Sequence, residues 1–271
     1  MRTSDSEVSA QVDARVTAER PAAAHDSPRR AFLAAAGAGV AGLGFVAIAP
    51  GLHLMAVAEA AVEARKPGSA ASPAVRWGLL VDASKCAPGC NKCIDACHTE
   101  NGVVEAMSDA RQNSQWIRKI ELVDRRDGRK TELPMMCQHC AKPPCVDVCP
   151  TGASMKRADG IVLVDRHTCI GCRYCMMACP YKARSFVHAP LTTQNPEVPR
   201  GKGCVEACTL CVHRVDKGQS PACVESCPEG AMLFGDLNDP SSAIAKRIAS
   251  VPTTQVRGDL RLNPGVRYQG I

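Results

Sequence analysis

Cys169-Ile170-Gly171-Cys172-Arg173-Tyr174-Cys175-Met176-Met177-Ala178-Cys179-Pro180 has the spacing C-x2-C-x2-C-x3-C-P. In such a run three thiolates hold one iron–sulfur cluster and the fourth reaches a second cluster. The first three sulfurs sit in one tight loop. The residues after them start a helix that carries the fourth sulfur away, and proline ends the run. A zinc site instead needs two separated CxxC pairs and has no use for such a fourth cysteine. A ligand that leaves its own loop implies a partner motif elsewhere in the chain.

Composition agrees with a metal-filled interior. The 271 residues suffice for one or two domains and include 17 cysteines, while aromatic residues make up only 3%. So few aromatic side chains limit a conventional core, and inorganic clusters would fill the gap. A disulfide scaffold is the competing reading, but the odd cysteine count and dense CxxC spacing speak against it. The net charge is +6. The first 64 residues carry five Arg and seven Asp or Glu, which leaves about +8 for the rest. A [4Fe–4S] cluster with four thiolates contributes about −2, so four of them bring the folded region close to neutral. The basic excess is therefore read as counter-charge, and no nucleic-acid partner is expected.

Three further cysteine groups supply the missing partners: Cys86-x3-Cys90-x2-Cys93-x3-Cys97, Cys137-x2-Cys140-x4-Cys145-x3-Cys149-Pro150 and Cys208-x2-Cys211-x11-Cys223-x3-Cys227-Pro228. Cys204 stands just ahead of the last group. Between the groups the pattern is one of short strands. Residues 77–82 read as a strand. Two β-favouring runs between 116 and 136 flank Arg126-Asp127-Gly128, and 153–157 and 160–164 flank Asp159-Gly160, two hairpin signals. Strands are also expected over 185–188 and 231–236, with a loop over 189–203. Asp239-Pro240-Ser241-Ser242 caps a short helix near 243–249. Residues 257–271 show little periodicity and read as an extended arm.

The fold class is α+β: two nested bacterial-ferredoxin-like units with short hairpins and helices, long loops and a cofactor-filled core. The groups must pair, either sequentially or nested. Nesting is favoured because the strand before the first group, 79–81, and the strand after the fourth, 232–234, can close an outer unit (77–136 with 189–240) around an inner one (137–188). The ligand sets are then Cys86, Cys90, Cys93 and Cys227 for cluster one, and Cys208, Cys211, Cys223 and Cys97 for cluster two. Cluster three takes Cys137, Cys140, Cys145 and Cys179. Cluster four takes Cys169, Cys172, Cys175 and Cys149. Cys204 remains a spare thiol that could replace Cys208 if the loop register differs.

Residues 1–64 read as a leader. Residues 1–26 are polar and mixed in charge. Ser27-Pro28-Arg29-Arg30-Ala31-Phe32-Leu33 then opens an apolar run rich in Gly and Ala, the pattern of a twin-arginine (Tat) export signal. A membrane span over 31–50 is the alternative, but its glycines and alanines make it weakly hydrophobic. Ala58-Glu59-Ala60 and Val62-Glu63-Ala64 are small-residue sites where cleavage could occur. Export of an already folded protein suits a cofactor inserted beforehand and places the finished chain in the periplasm. Residues 65–76 are then a linker, 77–240 the cluster domain, and 241–271 a helix and arm.

The segments MCQHCAKPPCVDVCPTGAS, CIGCRYCMMACPYKAR and CTLCVHRVDKGQSPACVESCPEGAM resemble the four-cluster electron-transfer subunits of dimethyl sulfoxide reductase, polysulfide reductase and hydrogenase-2 systems. The resemblance covers 77–240 and carries the nested ligand pattern with it. The first motif departs from the family by one extra residue between Cys86 and Cys90. Within the family the leader, GLLVDASKC, CNKCIDACHTENG and WIRKIEL resemble the exported subunit of the DsrMKJOP membrane complex of sulfur metabolism. That resemblance implies an NrfD-type integral membrane quinone-interacting subunit, a triheme cytochrome c and the other DsrMKJOP subunits as partners. It also implies inner-membrane association through them. The alternative is the electron-transfer subunit of a molybdopterin oxidoreductase or hydrogenase.

The expected role is that of a wire, not of an enzyme. Each cluster changes by one electron, and burial, positive charge and NH···S bonds tune its potential. Arg173, Lys182 and Arg184 lie beside the third motif and either raise its potential or form a solvated basic face. His98, His139, His167, His188 and His213 read as structural or surface residues, because cysteine already completes every set. No CxxCH occurs, so covalent haem is not expected. Cys86-x3-Cys90-x2-Cys93 also matches radical SAM spacing, but three more cysteine groups and the lack of room for a barrel oppose that reading.

Overall fold

The computed structural model describes residues 64–103, 107, 109–192 and 194–271. The twin-arginine stretch lies outside the described residues.

Among the described residues, nine short strands and six short helices are set by the cysteine loops between them. β1 (Trp77–Asp82) pairs antiparallel with β8 (Met232–Asp236), with Trp77 opposite Asp236 and Val81 opposite Met232. Leu79, Leu80 and Val81 are buried, and Trp77 stacks on Phe234 at 5.1 Å between centroids. The pairing thus joins the two strands expected to flank the first and last cysteine groups.

The expected arm over 257–271 needs correction. Val266–Gln269 forms β9, parallel to β1 on the edge opposite β8. Val266 and Tyr268 are buried while Arg267 and Gln269 are half-exposed. That alternation of period two spans four residues, too few to register as a pattern. Tyr268 is fully buried; its hydroxyl donates to the Pro134 carbonyl at 3.0 Å and accepts from Gln138 Nε2 at 3.2 Å. The C-terminal strand is therefore tied to the loop that opens the second cysteine group.

Both expected hairpins are present. β2 (Ile117–Val123) pairs with β3 (Lys130–Met136), and β4 (Ser154–Lys156) pairs with β5 (Val162–Val164). Gly128 and Gly160 take positive φ in the two turns. β6 is only Ser185–Phe186, shorter than expected, and pairs with β7 (Val205–Glu206), which the sequence did not reveal. Helix α1 (Lys92–Glu100) starts inside the first CxxC and carries Cys93 and Cys97. α2 (Pro144–Asp147), α3 (Tyr174–Ala178), α4 (Val212–Val215) and α5 (Ala222–Glu225) are single turns that begin or end at cysteines. α6 (Ala243–Ser250) starts where Ser242 Oγ accepts from the Ala245 N–H at 3.1 Å, the expected cap.

The 189–203 loop is pinned by a buried ion pair, Arg200 to Glu206 at 2.7 Å, with side chains 3% and 1% exposed. Arg200 also donates to the Gly102 carbonyl at 2.6 Å and so seals the end of α1. Among the described residues no helix is long and apolar enough to cross a membrane.

Candidate metal centres

Each cysteine loop turns tightly, and left-handed backbone appears where it does. Gly171, inside the opening motif, has φ +70, and a Cβ there would sit 2.2 Å from the Gly203 carbonyl oxygen. His139, Arg173 and Cys211 take positive φ in or beside their CxxC loops. Such strain on non-glycine residues is held only where the surroundings over-determine it.

Cys86, Cys90, Cys93 and Cys227 line one cavity, at the ends of β1 and β8 that face each other. The extra residue between Cys86 and Cys90 is absorbed in a loop where the Gly89 N–H donates to Glu132 Oε2 at 3.0 Å. Cys149, Cys169, Cys172 and Cys175 line a second cavity. Two further sets lie deeper. Cys97 is pushed far up by burial and then by Cys208, Cys223 and Cys211. Cys137 and Cys140 are both pushed up to about 12, chiefly by burial, with Cys145 and Cys179 adding to it.

Adjacency orders the four sets. Cys93 acts on Cys223, Cys137 acts on Cys208, and Cys175 acts on Cys145. The order of neighbours is therefore the Cys86 cavity, the Cys97 set, the Cys137 set and the Cys172 cavity. All eight thiols of the inner two sets are buried, those of the first are half-buried, and Cys172 of the last is exposed.

The polar groups around the thiols are mostly donors. The Ser154, Leu210 and Ala231 N–H groups point at Cys149, Cys208 and Cys227 at 3.3, 3.4 and 3.2 Å. Burial works against ionisation of Cys149, but the Ser154 N–H and Thr151 hold it below the ordinary thiol range. Buried Asn101 donates its Nδ2 to Cys97 at 3.7 Å and Cys211 at 3.9 Å. Arg184 Nη2 donates to Cys145 at 3.1 Å, and its Nε and Nη1 are buried with no partner. His139 Nδ1 accepts from the Val162 N–H at 3.0 Å, so its Nε2 carries the proton, and that atom too is buried and unpartnered. Buried donors left without partners beside cysteine loops fit an anionic, sulfide-rich group. Among the described residues no three thiols close on a single ion. A cube of four irons instead gives each thiolate its own metal.

The expected basic trio separates. Arg173 is exposed and lies over the Phe186 ring at 3.8 Å, and Lys182 is exposed, so these two form a solvated face. Arg184 is buried on sulfur. Asn101 was missed by sequence reasoning, because an asparagine after a helix reads first as a cap. His213 Nε2 pairs with the Glu100 carboxylate at 2.8 Å. Cys204 donates to the Arg166 carbonyl at 3.3 Å and lies beside Cys169, not in the place of Cys208.

Residues 130–237 match the 4Fe-4S dicluster domain. Over 223 residues the chain is 43% identical to the Hdr-like menaquinol oxidoreductase iron-sulfur subunit 1 of Archaeoglobus fulgidus, covering 71% of this chain and 82% of that protein. It is 34% identical over 232 residues to the arsenate respiratory reductase iron-sulfur subunit of Shewanella sp. strain ANA-3, 72% of this chain and 96% of that one. It is 39% identical over 192 residues to protein NrfC of Escherichia coli K12, 70% and 78% of the two chains.

Proposed function

This chain belongs to the 4Fe–4S dicluster family of iron–sulfur subunits, and from that premise we propose that it passes electrons through four [4Fe–4S] clusters inside a membrane-associated oxidoreductase complex. The observation that carries the proposal is the gathering of sixteen cysteines into four neighbouring sets, two of them buried and two lining open cavities. Cys86, Cys90, Cys93 and Cys227 would hold the first cluster, and Cys97, Cys208, Cys211 and Cys223 the second. Cys137, Cys140, Cys145 and Cys179 would hold the third, and Cys149, Cys169, Cys172 and Cys175 the fourth.

When bound, such clusters supply one-electron oxidation and reduction without substrate binding. The protein's part is to space the sets, keep water from the inner two, and aim N–H groups and the Arg184 guanidinium at the sulfurs. The two open cavities are where partner cofactors would exchange electrons.

The finer reading is a Tat-exported periplasmic subunit of a sulfur-metabolism complex of the DsrMKJOP type. It would sit beside an NrfD-type quinone-interacting membrane subunit and a triheme cytochrome c. Arg29-Arg30 and the likeness to a menaquinol oxidoreductase subunit support it. The likeness to the iron–sulfur subunit of arsenate respiratory reductase supports a second reading, an electron-transfer subunit serving a reductase.

The test is reduction by menaquinol of the full chain co-expressed with an NrfD-type membrane subunit. The visible cluster absorbance should bleach with that subunit present and not without it. No bleaching in either case contradicts quinol-linked transfer. Replacing Arg29 and Arg30 by Lys should keep the chain inside the cell, and unchanged export contradicts the Tat reading.

A further inference from the structure

We propose that Arg184 is a single buried cation shared by the third and fourth cysteine sets, a positioning residue that raises both cluster potentials together and joins them as one electron-transfer step. The inference rests on the reading that both sets hold clusters.

Arg184 is 6% exposed, and its Nη2 donates to Cys145 of the third set at 3.1 Å and to Ser154 Oγ at 2.9 Å. Ser154 in turn gives its backbone N–H to Cys149 of the fourth set. The same guanidinium lies beside Cys175 of the fourth set. Its neighbours along the chain, Tyr181 and Ala183, are buried as well, so the side chain is held in place by packing.

Among the described residues no carboxylate pairs with Arg184, although a buried arginine ordinarily needs one. What surrounds it is sulfur: Cys145 accepts from its Nη2, and Cys137 and Cys175 lie close by. Nε and Nη1 remain buried and unpartnered. A planar guanidinium can address sulfurs on two sides at once, which a lysine ammonium cannot do with one geometry.

The consequence is electrostatic. Adding one electron to either set makes it more negative, and a cation within hydrogen-bond reach favours that added charge. Since the cation serves both sets, it would raise the potentials of both clusters together, with no proton moved and no bond made or broken. The clusters that the two sets would hold supply the one-electron oxidation and reduction, and Arg184 lies between them as a fixed charge.

The experiment is an EPR-monitored redox titration of the full, cluster-loaded chain carrying Arg184→Met or Arg184→Lys, with iron measured in each. Arg184→Met should make reduction of two of the four clusters roughly tenfold less favourable, about 59 mV for one electron, and leave the other two unmoved. Arg184→Lys should restore one of the pair more than the other. Four unmoved midpoints at full iron content overturn the proposal, as does a shift in one cluster alone for Arg184→Met. If Arg184→Met loses clusters, Arg184→Lys decides: a shift confined to that pair supports the shared cation, and no shift overturns it. Absence of iron from the unsubstituted chain would instead fail the cluster reading itself.

Discussion

Val81 and Met232 face each other across an antiparallel ladder, and this brings Cys86, just after one strand, to Cys227, just before the other. Nested and sequential pairing of the cysteine groups differ at this point. Under nesting, Cys227→Ser and Cys90→Ser should abolish the same cluster signal in EPR. Under sequential pairing, Cys227→Ser would match Cys172→Ser instead. A shared signal for Cys227 and Cys172 would overturn the ligand sets.

Cys204 makes its hydrogen bond to the Arg166 carbonyl and lies beside Cys169. Cys204→Ser should therefore keep all iron and all cluster signals. Loss of about four irons per chain would mean that the register of the last motif is wrong.

Gly171 combines a left-handed φ with a close approach to the Gly203 carbonyl. An alanine there carries a left-handed penalty of about 1–2 kcal/mol and a clash in addition. Gly171→Ala should lower the temperature at which visible absorbance is lost and weaken the cluster at Cys169–Cys175 first. A variant as stable as the parent would show that this loop can move aside.

Asn101 is 1% exposed and bridges Cys97 and Cys211 with one amide. Removing a donor to a cluster thiolate disfavours the reduced, more negative state. Asn101→Ala should lower one midpoint potential and leave three unchanged. Movement of a different cluster, or of none, counts against the set built on Cys97.

Glu206 and Arg200 form an ion pair that is almost fully buried. Glu206→Gln leaves the guanidinium uncompensated, and losing one partner of such a pair costs ~3–5 kcal/mol. Thermal bleaching should come markedly earlier. An unchanged bleaching temperature would mean that the loop over 189–203 contributes little to holding the fold.

Much of this architecture is legible in the sequence because its devices are local. Arg126-Asp127-Gly128 and Asp159-Gly160 mark hairpins by turn chemistry, and Ser242 marks a helix start by its side-chain cap. The cysteine spacings mark loops by the geometry of their ligands. What stays hidden is set by distant partners. Val266–Gln269 becomes a strand only because the edge of β1 is free to receive it. β7 is two residues long and exists through β6. Arg184, Arg173 and Lys182 look alike in sequence, and only packing separates the one buried on sulfur from the two in solvent.

Whether the protein holds four clusters is measured by iron and acid-labile sulfide per chain after anaerobic purification. Four clusters require about sixteen of each, four per cluster. About eight irons would leave two of the cysteine sets empty, and zinc without sulfide would contradict the account outright.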